Sequence, residues 1–175
     1  MFSYRLTNQS YNELREFLSL ESKLLGKILQ EADLISPFQL ETALAHQAQD
    51  PELRLGDILA QRGIVEPRTA DFFVQDWSKI VMQPEKDTLG FYLQQAAILS
   101  SAQIKVILAE QQTTGVRFGT VAVFQGFLKS TTLDFFLANL FPDQMHRSPF
   151  INMNMCSAPF VQDESRLSIK FSPIN

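Results

Sequence analysis

Apolar positions recur along the chain in four stretches of similar length, which begin at Leu24, Arg54, Thr88 and Arg117. Each stretch has glycine at its third position, an apolar pair at positions eleven and twelve, and a second amphipathic segment at its end. Within each stretch, apolar residues three and four positions apart form one face of a helix. The pattern therefore predicts four units, each made of a short helix, a tight turn and a second helix.

The four units fall into two related pairs. The first and third units share a Leu-Gln-x-Ala segment that starts at Leu29 and at Leu93. The second and fourth units both begin with Arg-x-Gly, and both carry an Asp-Phe-Phe segment, at Asp71 and at Asp134. Related units lie 63 or 64 residues apart, so these matches agree in register. This agreement indicates the duplication of a two-unit segment.

Polar residues mark the start of the second helix in the first and third units. Ser36 with Gln39 predicts a capping box in the first unit, and Ser100 with Gln103 predicts the same in the third. A serine hydroxyl and a glutamine side chain three residues later satisfy backbone N–H groups that the first helical turn leaves unpaired. We therefore expect helices to begin immediately after these two serines.

The second and fourth units use glycine at the turn. Gly63 predicts the turn in the second unit, and Pro67 predicts the first residue of the helix that follows. Gly126 holds the same place in the fourth unit, where Ser130 or Thr131 is the expected helix cap.

The expected architecture is mainly α-helical, with two tandem compact helical domains that each contain two helix-turn-helix units. Residues 1–82 hold a leading helix and the first pair, and residues 83–141 hold the second pair. A polar segment with a proline, from Met82 to Asp87, marks the junction. Residues 142–175 form an irregular tail that is apolar enough to pack on the body or to dock a partner, and we expect it to pack on the body.

The composition argues against several functions and cellular locations. A net charge of -4 disfavours broad nucleic-acid binding, which needs a basic surface. Cys156 is the single cysteine, so no disulfide forms within the chain. No apolar run approaches the ~20 residues of a membrane span, and the first ten residues do not resemble a signal peptide. The expected location is cytoplasmic, without direct membrane insertion.

The sequence contains no arrangement typical of an enzyme. His46 and His146 have no companions at metal-ligand spacing. Cys156 has only His146 near it in sequence, which does not make a nucleophile-base pair. No glycine-rich loop with a following Lys-Ser/Thr is present. We therefore expect a protein that is not an enzyme and that needs neither a metal nor a cofactor.

The segment "RLGDILAQRGIVEP", from Arg54 to Pro67, and its three counterparts resemble the MshEN domain. This domain forms the N-terminal part of type II secretion and type IV pilus assembly ATPases, and some members bind cyclic di-GMP. The resemblance covers about Leu24 to Leu140 and implies two tandem copies, with no ATPase domain.

The resemblance also implies a ligand site, in which arginine and the turn backbone contact guanine and phosphate while apolar side chains pack on the bases. Arginine is suited to this role because it stacks on purines and pairs with phosphate. The matching positions are Gln47, Arg54, Leu55, Gly56 and Gly63 in the first pair, and Gln111, Arg117, Gly119 and Gly126 in the second. The alternative from the residues alone is that the arginines are solvated, the glycines serve chain geometry and the glutamines lie on helix surfaces.

Departures from the family pattern fall on its polar positions. Leu24 and Thr88 stand where arginine is expected, and Asp33 and Ala97 replace the turn glycine. Trp77 and Leu140 replace a glutamine, and Phe118 replaces a leucine. Loss of one arginine-phosphate contact typically costs ~1.5–3 kcal/mol, and an aspartate near an anion costs more. The sequence thus favours an interaction or regulatory module that docks a protein partner, such as a secretion or pilus component. The alternative is a cyclic di-GMP receptor.

Overall fold

A computed structural model describes residues 22–145 of the chain. This part is mainly α-helical and contains no strand. The helices are α1 (residues 22–31), α2 (Pro37–Gln49), α3 (Leu55–Gln61), α4 (Pro67–Asp71), α5 (Trp77–Met82), α6 (Leu89–Gln95), α7 (Ser101–Thr114), α8 (Phe118–Phe124), α9 (Ser130–Leu140) and α10 (Pro142–Met145). A π-helical turn at Phe72–Asp76 joins α4 to α5. The predicted leading helix and nearly all of the predicted tail lie outside the described residues.

The four predicted helix-turn-helix units are confirmed, and their turns have the same backbone geometry. The tenth residue of each unit has a left-handed conformation, with φ of 54° at Asp33, 66° at Gly63, 54° at Ala97 and 70° at Gly126. In each turn, the N–H of the next residue donates to the carbonyl five residues earlier, at 2.9–3.0 Å. This is the hydrogen-bond pattern of a Schellman helix ending. The turn forms whether or not its central residue is glycine.

The predicted helix starts are confirmed in three units. Both capping boxes form, with Gln39 N–H donating to Ser36 Oγ at 3.2 Å in the first unit. Pro67 is the first residue of α4. The expected cap of α9 was wrong, because the helix begins at Ser130 and the cap position belongs to Lys129, which makes no side-chain cap bond. The Thr131 hydroxyl is used elsewhere, as a donor to Asp33.

Units related by the duplication make equivalent contacts. The Thr69 hydroxyl at the start of α4 donates to the Ala96 carbonyl in the turn of the third unit, at 2.8 Å. At the corresponding positions, the Thr132 hydroxyl of α9 donates to the Ala32 carbonyl in the turn of the first unit, also at 2.8 Å. Both threonines are buried. The second unit therefore meets the third while the fourth meets the first, a reciprocal exchange like that across the twofold axis of a dimer.

Aromatic side chains fill the centre between the two halves, which we define as residues 22–82 and 83–145. The Trp77 ring stacks on Phe135 with centroids 5.1 Å apart, and Phe73 meets Phe136 edge to face at 6.2 Å. Trp77 is 5% exposed, as expected of a core residue. Buried residues of both halves belong to one continuous hydrophobic core. The division into two separate domains stays a prediction, and the contacts described here cross its boundary.

No helix within residues 22–145 is both long enough and apolar enough to cross a lipid bilayer.

Candidate functional site

The start of α3 carries the best-preserved copy of the sequence motif. Arg54 occupies the cap position with extended backbone and an exposed side chain, while Leu55 is buried. A Cβ on Gly56 would lie 3.0 Å from the Cβ of Ala70 in α4, so the glycine allows the two helices to approach closely. The sequence and the packing thus place Arg54 on the rim of the contact between α3 and α4.

A cleft of about 90 Å³ opens beside this contact, and we call it the Arg54 cleft. Leu25, Leu55 and Val74 give it apolar walls, and Val74 comes from the π-helical turn. Its polar lining includes Asp57 and Asp71 as well as Arg54. Small-molecule pockets typically measure about 300–1,000 Å³, so this cleft accommodates a side chain more readily than a dinucleotide.

The charged groups of the Arg54 cleft are exposed and make no ion pair within residues 22–145. Arg54, Asp57 and Asp71 line the same cleft, yet no guanidinium-carboxylate pair forms between them. Asp57 lies in the first turn of α3, where the helix dipole favours a negative charge. The cleft therefore offers two carboxylates and one guanidinium around an apolar floor.

Larger side chains stand at the corresponding place in the second half, which we call the filled counterpart. A Cβ on Gly119 would lie 2.7 Å from Leu133 Cδ1, and a Cβ on Gly90 would lie 3.0 Å from the Phe118 ring. Leu133 stands where the first half has Ala70, and Phe118 stands where it has Leu55. Over Gly119, Leu133 places three side-chain carbons within 4 Å of such a Cβ, whereas over Gly56 Ala70 places one.

The two turn glycines are explained by backbone geometry. Gly63 and Gly126 have left-handed backbones, and no atom lies within 4 Å of a Cβ built on either one. Gly63 is not part of the lining of the Arg54 cleft. Their role is to end α3 and α8 with little strain, because glycine adopts a positive φ at no steric cost.

The predicted glutamines differ in their surroundings. The Gln47 side-chain amide donates to Ser22 Oγ at 3.0 Å and to the Leu53 carbonyl at 2.9 Å. It thereby ties α1 and α2 to the loop before Arg54, and both of its amide hydrogens are used within the chain. Gln111 is partly exposed near the end of α7, where its main-chain carbonyl accepts a hydrogen bond from the Gly115 N–H.

The predicted arginine of the second pair, Arg117, is exposed at the cap position of α8, and its side chain makes no cap bond.

Asp33 faces the fourth unit and does not line the Arg54 cleft. Its carboxylate accepts a hydrogen bond from the Thr131 hydroxyl at 2.6 Å and pairs with Lys129 Nζ at 3.4 Å. The Thr131 hydrogen bond, helped by Lys129, holds the pKa of Asp33 below its usual value despite slight burial. This aspartate therefore links the first and last units.

The sequence analysis missed the charged and small residues that shape the cleft. Asp71 was noted only as part of the shared Asp-Phe-Phe segment, and Asp57 and Ala70 were not singled out. One signal was available, because the position fourteen residues after the motif glycine is Leu40, Ala70, Ile104 or Leu133 in the four units. The second unit alone has a small residue there.

Within residues 22–145, no group of three or more His, Cys, Asp or Glu side chains is arranged to hold a metal ion.

The chain is similar to a protein of Picosynechococcus sp. that is described as uncharacterized. The two are 38% identical over 118 residues, which cover 67% of this chain and 64% of the relative. The chain thus spans less than two thirds of that relative's length. No family model matches the chain. No solved structure matches it either.

Proposed function

We propose that this protein is a non-enzymatic interaction module that docks a protein partner. The observation that carries the proposal is the Arg54 cleft, which has apolar walls and a polar rim and lies where the second half has the larger residues Phe118 and Leu133 in place of Leu55 and Ala70. All four units keep their apolar framework and turn geometry, although the polar motif positions differ. This combination fits a fold used as a docking scaffold.

Exposed apolar side chains in the cleft and on α5, the helix that follows the π-helical turn, support a protein partner. Val74 lines the cleft and remains 44% exposed, and Val81 and Met82 of α5 are 37% and 84% exposed. Apolar anchors with a polar rim are typical of protein-protein contact sites. By the MshEN resemblance, a secretion or pilus component is a candidate partner, and we infer a cytoplasmic location for the module.

The proposal is tested by affinity capture from an extract of the native cells with three forms of the chain. We expect the wild-type chain to retain a stoichiometric partner and the Val74→Ser variant to lose it. Val106→Ser is the matched control, because Val106 is 48% exposed on α7, outside the cleft lining. Equal capture by all three forms, or no capture by any, would contradict docking at this cleft.

A cyclic di-GMP receptor is the second candidate, favoured by one observation. Arg54 lies on the rim of the cleft, and its side chain makes no ion pair within residues 22–145. A guanidinium in this position could stack on guanine or pair with phosphate. The size of the cleft and the carboxylates of Asp57 and Asp71 oppose a ligand with two phosphates. The receptor candidate requires that the chain binds cyclic di-GMP and that replacement of Arg54 abolishes this binding.

A further inference from the structure

Two features distinguish the Arg54 cleft from the equivalent place in the second half. The second half has the same helices and the same glycine, but Leu133 places three side-chain carbons against that glycine where Ala70 places one. The first half also has the π-helical turn Phe72–Asp76, whereas the matching part of α9 is regular α-helix. π-helical turns within α-helices frequently occur at functional sites. Two separate departures from the repeat thus meet at one place.

The shape of the cleft fits a single extended side chain. Its volume of about 90 Å³ leaves room for a short aliphatic stem between Leu25, Leu55 and Val74. The apolar walls end at a rim that carries polar groups, so the occupant must have an apolar stem and a polar head. Lysine and arginine side chains have this construction, because they bury their methylene groups while the charged end stays in water.

The charge of the rim selects the sign of that head group. Asp57 and Asp71 contribute two negative charges against the single positive charge of Arg54, and the whole chain carries a net charge of -4. Neither carboxylate is neutralised by an ion pair within the described residues. The local excess of negative charge complements a cation and disfavours an anion.

We propose that the Arg54 cleft receives a lysine or arginine side chain from the protein partner. The aliphatic stem lies against Leu25, Leu55 and Val74, and the cationic head pairs with Asp57 and Asp71. Arg54 lines the same cleft and repels the cationic head. This inference rests on the proposed docking function and adds the chemistry of the group that docks.

The test uses n-butylguanidinium as the probe and butyrate as an anion of similar length, each titrated into the full chain. Backbone NMR signals of Gly56 and Ala70 report on the cleft, and those of Gly119 report on its filled counterpart. We expect the cation to bind with a Kd of about 1 mM, to shift the first two signals and to leave Gly119 unchanged. Butyrate should shift none of them.

Variants separate this inference from its alternatives. The double variant Asp57→Asn, Asp71→Asn keeps the fold, because both side chains are exposed, and should weaken cation binding about fivefold. Ala70→Leu should abolish binding by filling the cleft as Leu133 does. Arg54→Ala should strengthen cation binding about twofold, whereas a nucleotide site would lose its ligand.

The inference is overturned if butyrate binds more tightly than the cation, if Gly119 shifts as much as Gly56, or if the double aspartate variant binds unchanged. The two experiments distinguish failure of this inference from failure of the proposed docking function. Capture of a partner through Val74 without cation binding would contradict the present inference and leave the proposed function intact. Cation binding without any captured partner would contradict the proposed function and support the cation site.

Discussion

The Arg54 cleft and its filled counterpart around Gly119 occupy the same place in two copies of one structural unit. In both copies a helix begins after an arginine, and a glycine lets the next helix approach. Ala70 in the first half and Leu133 in the second both lie against that glycine, but Ala70 contributes one side-chain carbon there and Leu133 contributes three. The comparison shows that the arrangement of helices does not by itself create a site, since the filled copy is equally well built.

The filled copy should depend strongly on its leucine. Leu133→Ala removes a side chain that is 2% exposed and covers Gly119, so we expect a loss of about 2–5 kcal/mol in the free energy of unfolding. Chemical denaturation measures this loss. Ala70→Leu in the first half is the matched variant, and its effect should be smaller, about 1–3 kcal/mol, because Ala70 is 5% exposed and the added carbons must displace its neighbours. Equal losses in the two variants would show that the first half is as tightly filled as the second.

The turns offer a second comparison between the halves. Ala97 has φ of 54°, a conformation that costs a non-glycine residue roughly 1–2 kcal/mol. Ala97→Gly should therefore raise the free energy of unfolding by about 0.5–1 kcal/mol, after the entropy cost of glycine is deducted. Asp33→Gly gains the same backbone relief but loses the contacts with Thr131 and Lys129. A larger gain from Asp33→Gly than from Ala97→Gly would contradict the linking role of Asp33.

Acid should remove the contribution of Asp33. The pKa of this aspartate is lowered in the folded chain, so its stabilising effect is present above the unfolded pKa of about 3.8 and is lost as pH falls through the lower folded value. At pH 7 we expect Asp33→Asn to lose about 0.5–1 kcal/mol, because the Lys129 pair is largely exposed. Denaturation at several pH values should show the difference between wild type and variant shrinking in acid. A difference that grows as pH falls would contradict the assignment.

The sequence predicted the helical units well because their signals are local. Capping boxes, Pro67 and the apolar pairs act within a few residues of each helix end, and the structure confirms them. The reciprocal packing of the halves was not predicted, because the contacts of Thr69 with Ala96 and of Thr132 with Ala32 join positions 27 and 100 residues apart. Such contacts leave no periodic signal in the chain.

The candidate site was predicted only in part for the same reason. Arg54, Leu55 and Gly56 belong to one motif and line one cleft, and their role in ligand binding stays a prediction. Asp57 follows them in α3, and Asp71 joins them only through the packing of α3 against α4. Gln47 follows the family pattern in sequence, yet its amide holds Ser22 and Leu53 in place. A motif position identifies where a side chain begins, and the surrounding packing determines what that side chain contacts.

Calorimetry with cyclic di-GMP tests the central claim most directly, since it decides between a protein-docking cleft and a nucleotide receptor. We predict no binding tighter than about 10 μM for the wild-type chain. Arg54→Ala and Arg117→Ala form a matched pair, because both arginines occupy the cap position of an equivalent helix. Binding at or below about 10 μM that is lost in Arg54→Ala and kept in Arg117→Ala would contradict the account and establish the receptor in its place.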